Sequence, residues 1–342
     1  MRRRMFLKML PAAGVANVAA AAPDPSDWGA WKAAFLTPEG RAVDALQGMA
    51  SHSEGQGWAL LLASRSGDAQ AAARIFDWTE RHLAVRQDPL LSWRWRPGEG
   101  VVDYNNASDG DLFYAWALLD AARRFGVDAY ADRAGQVARA IDQILVRDAP
   151  DGGLLLRPAA ENFTTPAGEI VNPSYTMPLA LHALGAAFDL PRLGQVADDG
   201  ERMIARIAAT GLVPDWVVLE QGGWRPAASH GPFFGYDAVR VALYLVWSGR
   251  FSHPAVDRAG SLYGDASNLA PVRVDPATSE VKERSDQSGY AAVAALVNGV
   301  RHTAAMPALP TFTAAQPYYP ATLHLLTILA AEVSAPAGSQ GG

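Results

Sequence analysis

The stretch Asn105-Asn106-Ala107-Ser108-Asp109-Gly110-Asp111 runs directly into Leu112-Phe113-Tyr114-Ala115-Trp116-Ala117-Leu118-Leu119. A polar, glycine-containing turn thus becomes an apolar helix with two acids at its start. Leu112, Trp116, Leu119 and Ala122 fall on one face by their three- and four-residue spacing, which predicts a helix over 110–125. The same arrangement recurs twice. Ser51-His52-Ser53-Glu54-Gly55-Gln56-Gly57-Trp58 precedes one apolar helical stretch, and Phe233-Phe234-Gly235-Tyr236-Asp237-Ala238-Val239-Arg240 precedes another.

Outward from these segments the chain continues in the same manner. Helical periodicity marks 28–36, 55–66, 69–85, 110–125, 130–146, 175–188, 192–209, 238–248, 254–266, 287–300 and 318–333. Alternating stretches are scarce, and only 153–157 and 213–219 read as short strands. Helices joined by loops that carry the polar motifs suggest helical hairpins closing into a ring. No Pro/Ser linker or charge run divides the 342 residues, and no 34- or 40-residue repeat is evident. One domain over 23–335 is expected, with a flexible tail at 336–342.

Hydrophobic residues make up 49% of the chain and charged residues 19%, enough for a large core. The net charge of −6, with no basic run after the first eight residues, argues against nucleic acid as a partner. Arg2, Arg3, Arg4 and Lys8, the apolar stretch from Met9, and small residues at Ala19–Ala22 read as an export signal over 1–22. Its Arg3-Arg4-Met5-Phe6-Leu7-Lys8 run resembles a twin-arginine signal, with an ordinary secretory signal or a short anchor as the alternative. The expected location is therefore periplasmic or secreted. No other segment offers roughly eighteen uninterrupted apolar residues, so no membrane association is expected after signal removal. The absence of cysteine suits an exported protein that folds without an oxidation step.

Asp or Ser before a helix is an ordinary N-cap, and taken singly each acid reads as one. Capping explains neither the aromatic, glycine-rich surroundings nor Glu54, since Glu caps poorly. Acids at the starts of three inner helices can instead meet at one mouth of a ring. Glycoside hydrolysis needs such a cluster, with one acid to protonate the leaving oxygen and one base to activate water. The seven histidines contain no His-Glu-x-x-His pair, and neither a Gly-x-Ser-x-Gly elbow nor a phosphate loop is present. Hydrolysis by carboxylates requires no metal or other cofactor.

The ordered set of segments resembles glycoside hydrolase family 8, particularly its bacterial branch associated with cellulose synthesis. Ala107-Ser108-Asp109-Gly110-Asp111 matches the family's signature, Ser53-Glu54-Gly55-Gln56-Gly57 its general-acid segment, and Tyr236-Asp237-Ala238-Val239-Arg240 its general-base segment. Ser92-Trp93-Arg94-Trp95, Asn172-Pro173-Ser174-Tyr175 and Gln316-Pro317-Tyr318-Tyr319 follow in the expected order. The resemblance implies an all-α (α/α)6 barrel of inner and outer helices, with a substrate cleft across the inner-helix ends. It implies an inverting endo-β-1,4-glucanase whose partner is a β-glucan chain, with a cellulose synthase complex as a further partner. By that analogy Glu54 is the general acid, Asp237 the general base, and Asp109 binds the sugar beside the scissile bond. An inverting pair is separated by roughly 6.5–9.5 Å to admit water. Glu54 is expected to hold its proton, and Asp237 to stay ionised with help from its helix N-terminus.

Arg240, one turn beyond Asp237, either steadies that carboxylate, bonds substrate hydroxyls, or forms an ordinary salt bridge. Tyr175 positions water or a sugar hydroxyl, or simply caps a loop. Of Trp93 and Trp95, one is expected to be a sugar platform and the other to pack inward, with Trp93 the preferred platform. Tyr318 and Tyr319 pose the same choice, and Gln56 and Asn106 complete the candidate substrate-binding set. Tyr114 before Ala115 departs from the aliphatic residue usual in the signature, and Phe125 stands near the place of its usual Trp; both departures touch packing rather than the acids. The chitosan-cutting branch lacks the base, so Asp237 argues against chitosan. Xylan and mixed-linkage glucan stay open as substrates. A non-catalytic glucan-binding component of a cellulose export complex would not need the three acids, and a polysaccharide lyase would need a basic patch or metal.

Overall fold

Two kinds of helix alternate along the chain, and the alternation builds the fold. The computed structural model describes residues 24–264, 269–302 and 308–334, so the expected export signal and terminal tail lie outside the described residues. The first helix, α1 (Pro25–Phe35), is followed by α2 (Ser53–Arg65), which is buried on every side from Gly55 to Ser64. Next comes α3 (Ala69–His82), whose buried residues Ala71, Ala72, Ile75, Trp78 and Thr79 form one stripe. A helix apolar all round must sit inside, while a single stripe suffices for an outer layer. The pattern repeats with α4 (Ser108–Phe125) inside and α5 (Asp128–Ala140) outside, then α6 (Pro178–Phe188) and α7 (Pro191–Thr210). After them come α8 (Ala238–Trp247), buried along its whole length, and the one-sided α9 (Pro254–Tyr263).

The last two helices, α10 (Ser288–His302) and α11 (Tyr318–Ser334), follow each other with no helix between them among the described residues. Packing closes the ring: α2 lies on α4, α4 on α6, α6 on α8, α8 on α10, α10 on α11, and α11 back on α2. The outer helices α3, α5 and α9 pack against the inner helices before and after them in the chain, α7 packs on α6 and on α9, and α1 covers α11. This is the (α/α)6 barrel, and one continuous apolar cluster from Trp28 to Ala330 fills it. No helix among the described residues is long and apolar enough to cross a membrane.

Strands are more numerous than the sequence pattern indicated. The two anticipated ones occur, as Leu154–Leu156 and Val217–Glu220. The second belongs to a four-stranded antiparallel sheet with Thr164–Thr165, Gly168–Val171 and Gly223–Pro226. A hairpin joins Ala270–Val274 to Val281–Ser285, and Ser51–His52 pairs with Arg94–Arg96 beside Gly100–Asp103. Each strand is two to five residues long, too short to show a period of two above the background of its loop. These small sheets stiffen the loops at the barrel mouth.

Tyr114, the departure from the family signature, ties inner helix to outer ones. Its hydroxyl donates to Glu80 of α3 at 2.8 Å, and Glu80 also accepts from Arg133 of α5 at 2.8 Å. Because the bond is to a charged acceptor, Tyr114→Phe is expected to lower stability by about 1–2 kcal/mol in urea unfolding, leaving KM for substrate unchanged.

Candidate active site

The three acids reach one place through three local devices. Ser51–His52 pairs with Trp95 and Arg94, and the Ser53 amide donates to the Trp93 carbonyl at 3.0 Å, so the start of α2 is pinned beside the Trp93 loop. Glu54 is the second residue of that helix. Asp109 is the second residue of α4, and the next residue lets the two helices meet. A Cβ on Gly110 would lie 2.1 Å from Ser53 Oγ and 2.6 Å from the Glu54 nitrogen, so only glycine permits this approach. Gly57 makes the matching contact, its absent Cβ 2.8 Å from the Tyr114 nitrogen. Asp237 stands at the N-cap of α8 but takes no amide of its helix. Capping, the ordinary use of such an acid, is not its role here.

Arg240 gathers the acids. Its guanidinium is buried and donates from Nη1 to Glu54 and from Nη2 to Asp237, while Asp109 Oδ2 lies 3.6 Å from Nη1. Nη2 also donates to Ser174 Oγ at 3.0 Å, and the Asn172 amide donates to Asp237 Oδ2 at 2.9 Å. The Trp58 and Tyr175 rings flank the cation, with centroids 5.5 and 6.0 Å away. Of the readings open for Arg240, the structure shows a buried ion-pair hub joining α2, α4 and α8.

Several carboxylates crowded at the mouth of the barrel cannot all be charged cheaply. Burial, then the charges of Asp215 and Asp109, push Asp237 up to about 8. Burial raises Asp109 to about 7. This differs from the expectation of an Asp237 kept ionised by its helix N-terminus: the α8 amides are bonded elsewhere, and desolvation outweighs the dipole. Asp111, the second acid of the signature, is also raised by burial to about 7, and it serves the wall rather than the mouth. It accepts from the Leu91 amide at 2.7 Å and from Asn106 at 2.8 Å.

Two recesses flank the hub. One, of about 480 Å³, is bordered by Leu46, Gln47, Tyr236, Tyr290 and Tyr319, and the other, of about 120 Å³, by His52, Trp93, Ala107, Asp109 and Tyr175. Glu54, Asp237 and Arg240 line both, so a single cleft crosses the mouth with the acids at its middle. Trp93 lies against His52, with ring centroids 5.5 Å apart and planes at 14°, whereas Trp95 packs inward on Trp78 and His82. Tyr319 donates to the Tyr236 carbonyl at 2.5 Å, and Tyr236 to Glu283 at 2.7 Å.

Three candidates from the sequence lie away from the cleft. Gln56 is spent on the Ala42 amide, the Gly40 carbonyl and Thr79. Asn106 holds Asp111 and the Ala160 amide. Tyr318 is packed among Trp31 and Phe35 under α1. Helical phase explains the first: Gln56, two residues beyond Glu54, points to the outer layer. Conversely, Gln47, Asp215, Trp216 and Tyr290 come to the site without a sequence signal, since each stands alone in a loop or on an otherwise apolar helix. Asn172 and Ser174 lie in a segment already singled out beside Tyr175.

The sequence matches the glycosyl hydrolases family 8 over residues 1–333. The chain belongs to that family. Its family 8 relatives include the probable endoglucanase of Novacetimonas hansenii, 34% identical over 319 residues that cover 90% of this chain and 92% of that one. Among solved structures, an endo-β-1,4-glucanase of Acetobacter xylinum superposes with a TM-score of 0.79 at 32% identity, covering 90% of this chain and 97% of the other. An endoglucanase of Klebsiella pneumoniae superposes with a TM-score of 0.82 at 29% identity, covering 89% and 98%. A β-1,3-1,4-glucanase of Paenibacillus and an exo-oligoxylanase, at 19% and 17% identity, share the fold. Family 8 enzymes are inverting glycosidases.

The raised acids of this family 8 site make stability depend on pH. With folded values of about 8 for Asp237 and about 7 for Asp109 against 3.8 unperturbed, the folded state binds more protons than the unfolded one between those limits. Stability is therefore greatest toward the acid end and falls as pH rises through the folded values. Calorimetry from about pH 5 to about pH 9 is expected to show a falling melting temperature, with a shallower fall in Asp237→Asn; parallel slopes in the two proteins would contradict this assignment.

Proposed function

We propose that the protein is an exported endo-β-1,4-glucanase that cuts cellulose-like chains with inversion, using Glu54 as acid and Asp237 as base. The observation that carries this reading is the pair of carboxylates held on the two Nη atoms of Arg240, at the middle of a cleft open on both sides. A cleft open to either side admits the interior of a chain, which endo action requires. Relatives and solved structures that share about a third of their residues with this chain carry the endoglucanase name.

In the reaction Glu54 gives its proton to the glycosidic oxygen as the bond to the anomeric carbon breaks. Asp237 takes a proton from the water that attacks that carbon from the opposite face. A base whose proton affinity is raised is a stronger base once ionised, and Arg240 and Asn172 favour that ionised form. Asp109, Tyr175 and Trp93 border the smaller recess and would hold the sugar there, while Tyr236, Tyr290 and Tyr319 offer ring faces and hydroxyls on the other side.

Export is supported by the basic and apolar start of the chain, and a role beside cellulose synthesis by the resemblance to that branch of the family. A gene neighbourhood without a cellulose synthase would remove the second while leaving the activity. For the activity itself, cellopentaose and xylopentaose are the discriminating substrates, with new reducing ends followed by NMR. The expected result is initial release of α-anomers from cellopentaose, with kcat lowered about 10²–10⁴-fold in Glu54→Gln and in Asp237→Asn. Cleavage of xylopentaose alone would replace the substrate, and cleavage of neither would leave a glucan-binding protein.

A further inference from the structure

Asp237 occupies the N-cap of α8, where a carboxylate ordinarily folds back onto the amides of its own helix. It does not do so, because another acid has taken that place. Asp215 Oδ1 accepts from the Ala238 amide at 2.7 Å and from the Gly235 amide at 2.9 Å, while the Asp215 amide donates to the Phe233 carbonyl at 2.8 Å. One residue thus holds both limbs of the turn that presents Asp237. The fit is close: a Cβ on Gly235 would lie 2.3 Å from Asp215 Oδ2. Trp216, the next residue, has a side chain that favours the ionised form of Asp237 and is itself fixed by stacking on Phe163, with centroids 5.6 Å apart and planes at 11°.

We propose that Asp215 is the positioning residue of the base. Its carboxylate occupies the amides at the start of α8, leaves the Asp237 carboxylate free to face the cleft, and places a second acid beside it. The proposal rests on Asp237 being the base. The charged and titratable groups around Asp237 come from every neighbouring element: Glu54 from α2, Asp109 from α4, Arg240 and Tyr244 from α8, Tyr175 from the turn before α6, and Tyr319 from α11. Of the acids, Asp215 contributes the largest charge effect on Asp237 after burial, ahead of Asp109. On its outer side Asp215 feels Arg273, whose guanidinium lies 4.3 Å from the centroid of Phe233. Asp215 therefore has two separable effects, one through hydrogen bonds and one through charge.

Two substitutions separate them. Asp215→Asn keeps an oxygen that can accept from the same amides but removes the charge, whereas Asp215→Ala removes both. The ¹³C carboxyl titration of Asp237 in the full chain, assigned by its loss in Asp237→Asn, reads the base directly and needs no turnover. In Asp215→Asn its midpoint is expected to fall by about one pH unit, because a neighbouring like charge disfavours ionisation. The acid limb of kcat on cellopentaose should move down with it at unchanged KM. In Asp215→Ala kcat is expected to fall about tenfold or more with KM near that of the parent, as misorientation of a reacting group predicts. An Asp237 midpoint unmoved in Asp215→Asn, together with losses in Asp215→Ala that follow only the folded fraction by circular dichroism, would overturn the proposal. A moved midpoint in a protein that cleaves no glucan would leave the positioning role standing and overturn the glucanase reading instead.

Discussion

A single buried guanidinium organises the mouth of this barrel. Arg240 faces Glu54, Asp109 and Asp237, which come from or adjoin three different inner helices. Removing a charge from a buried set leaves its partners uncompensated, and such breaks are far more costly than the net worth of the pair. The acids cannot crowd together without the cation, and the cation cannot be buried without the acids. Trp58, Tyr175, Ser174 and Asn172 complete the shell around this arrangement.

The hub also demands that the helices carrying it come close, and this explains the composition of the Ala107–Asp111 motif. Asp109 turns to the cleft, Gly110 lets α4 touch the start of α2, and Asp111 turns to the wall to hold the Leu91 amide. Three adjacent residues on a helix point about 100° apart, so each faces a different environment and has a separate task. A side chain at Gly110 would push Glu54 away from Arg240, so packing and chemistry constrain the same position.

The site is built mainly from rigid helix ends, with loops stiffened by short sheets supplying the rest. The Trp93 loop is paired with the residues before α2, and the turn before α8 is held by Asp215. A small displacement of reacting groups is expensive in rate, so fixing both carboxylates through backbone contacts is the physical requirement the loops meet. The cost is a cluster of acids whose proton affinities are raised by burial, at the expense of stability at higher pH.

The linear sequence determined the helical class, the inner helices and the placement of the three acids at helix starts. Helical periodicity and acid-bearing starts are local properties, and Glu54, Asp109 and Asp237 all lie where local reasoning put them, at the starts of apolar helices. Trp93 and Trp95, two residues apart, would share one face of a regular strand; they face different ways because Trp93 lies outside the strand Arg94–Arg96, whose pairing with Gly100–Asp103 slips between Arg94 and Trp95. Tertiary structure alone decided the rest. Gln56, Asn106 and Tyr318 share motifs with site residues but are directed by helical phase and packing into the wall. Asp215, twenty-three residues from the Ala238 amide it bonds, gives no signal in sequence. Its role exists only because the barrel closes and brings the 212–216 loop against the start of α8. Proton affinities were equally out of reach, since desolvation depends on what covers a carboxylate and the covering residues come from every part of the chain.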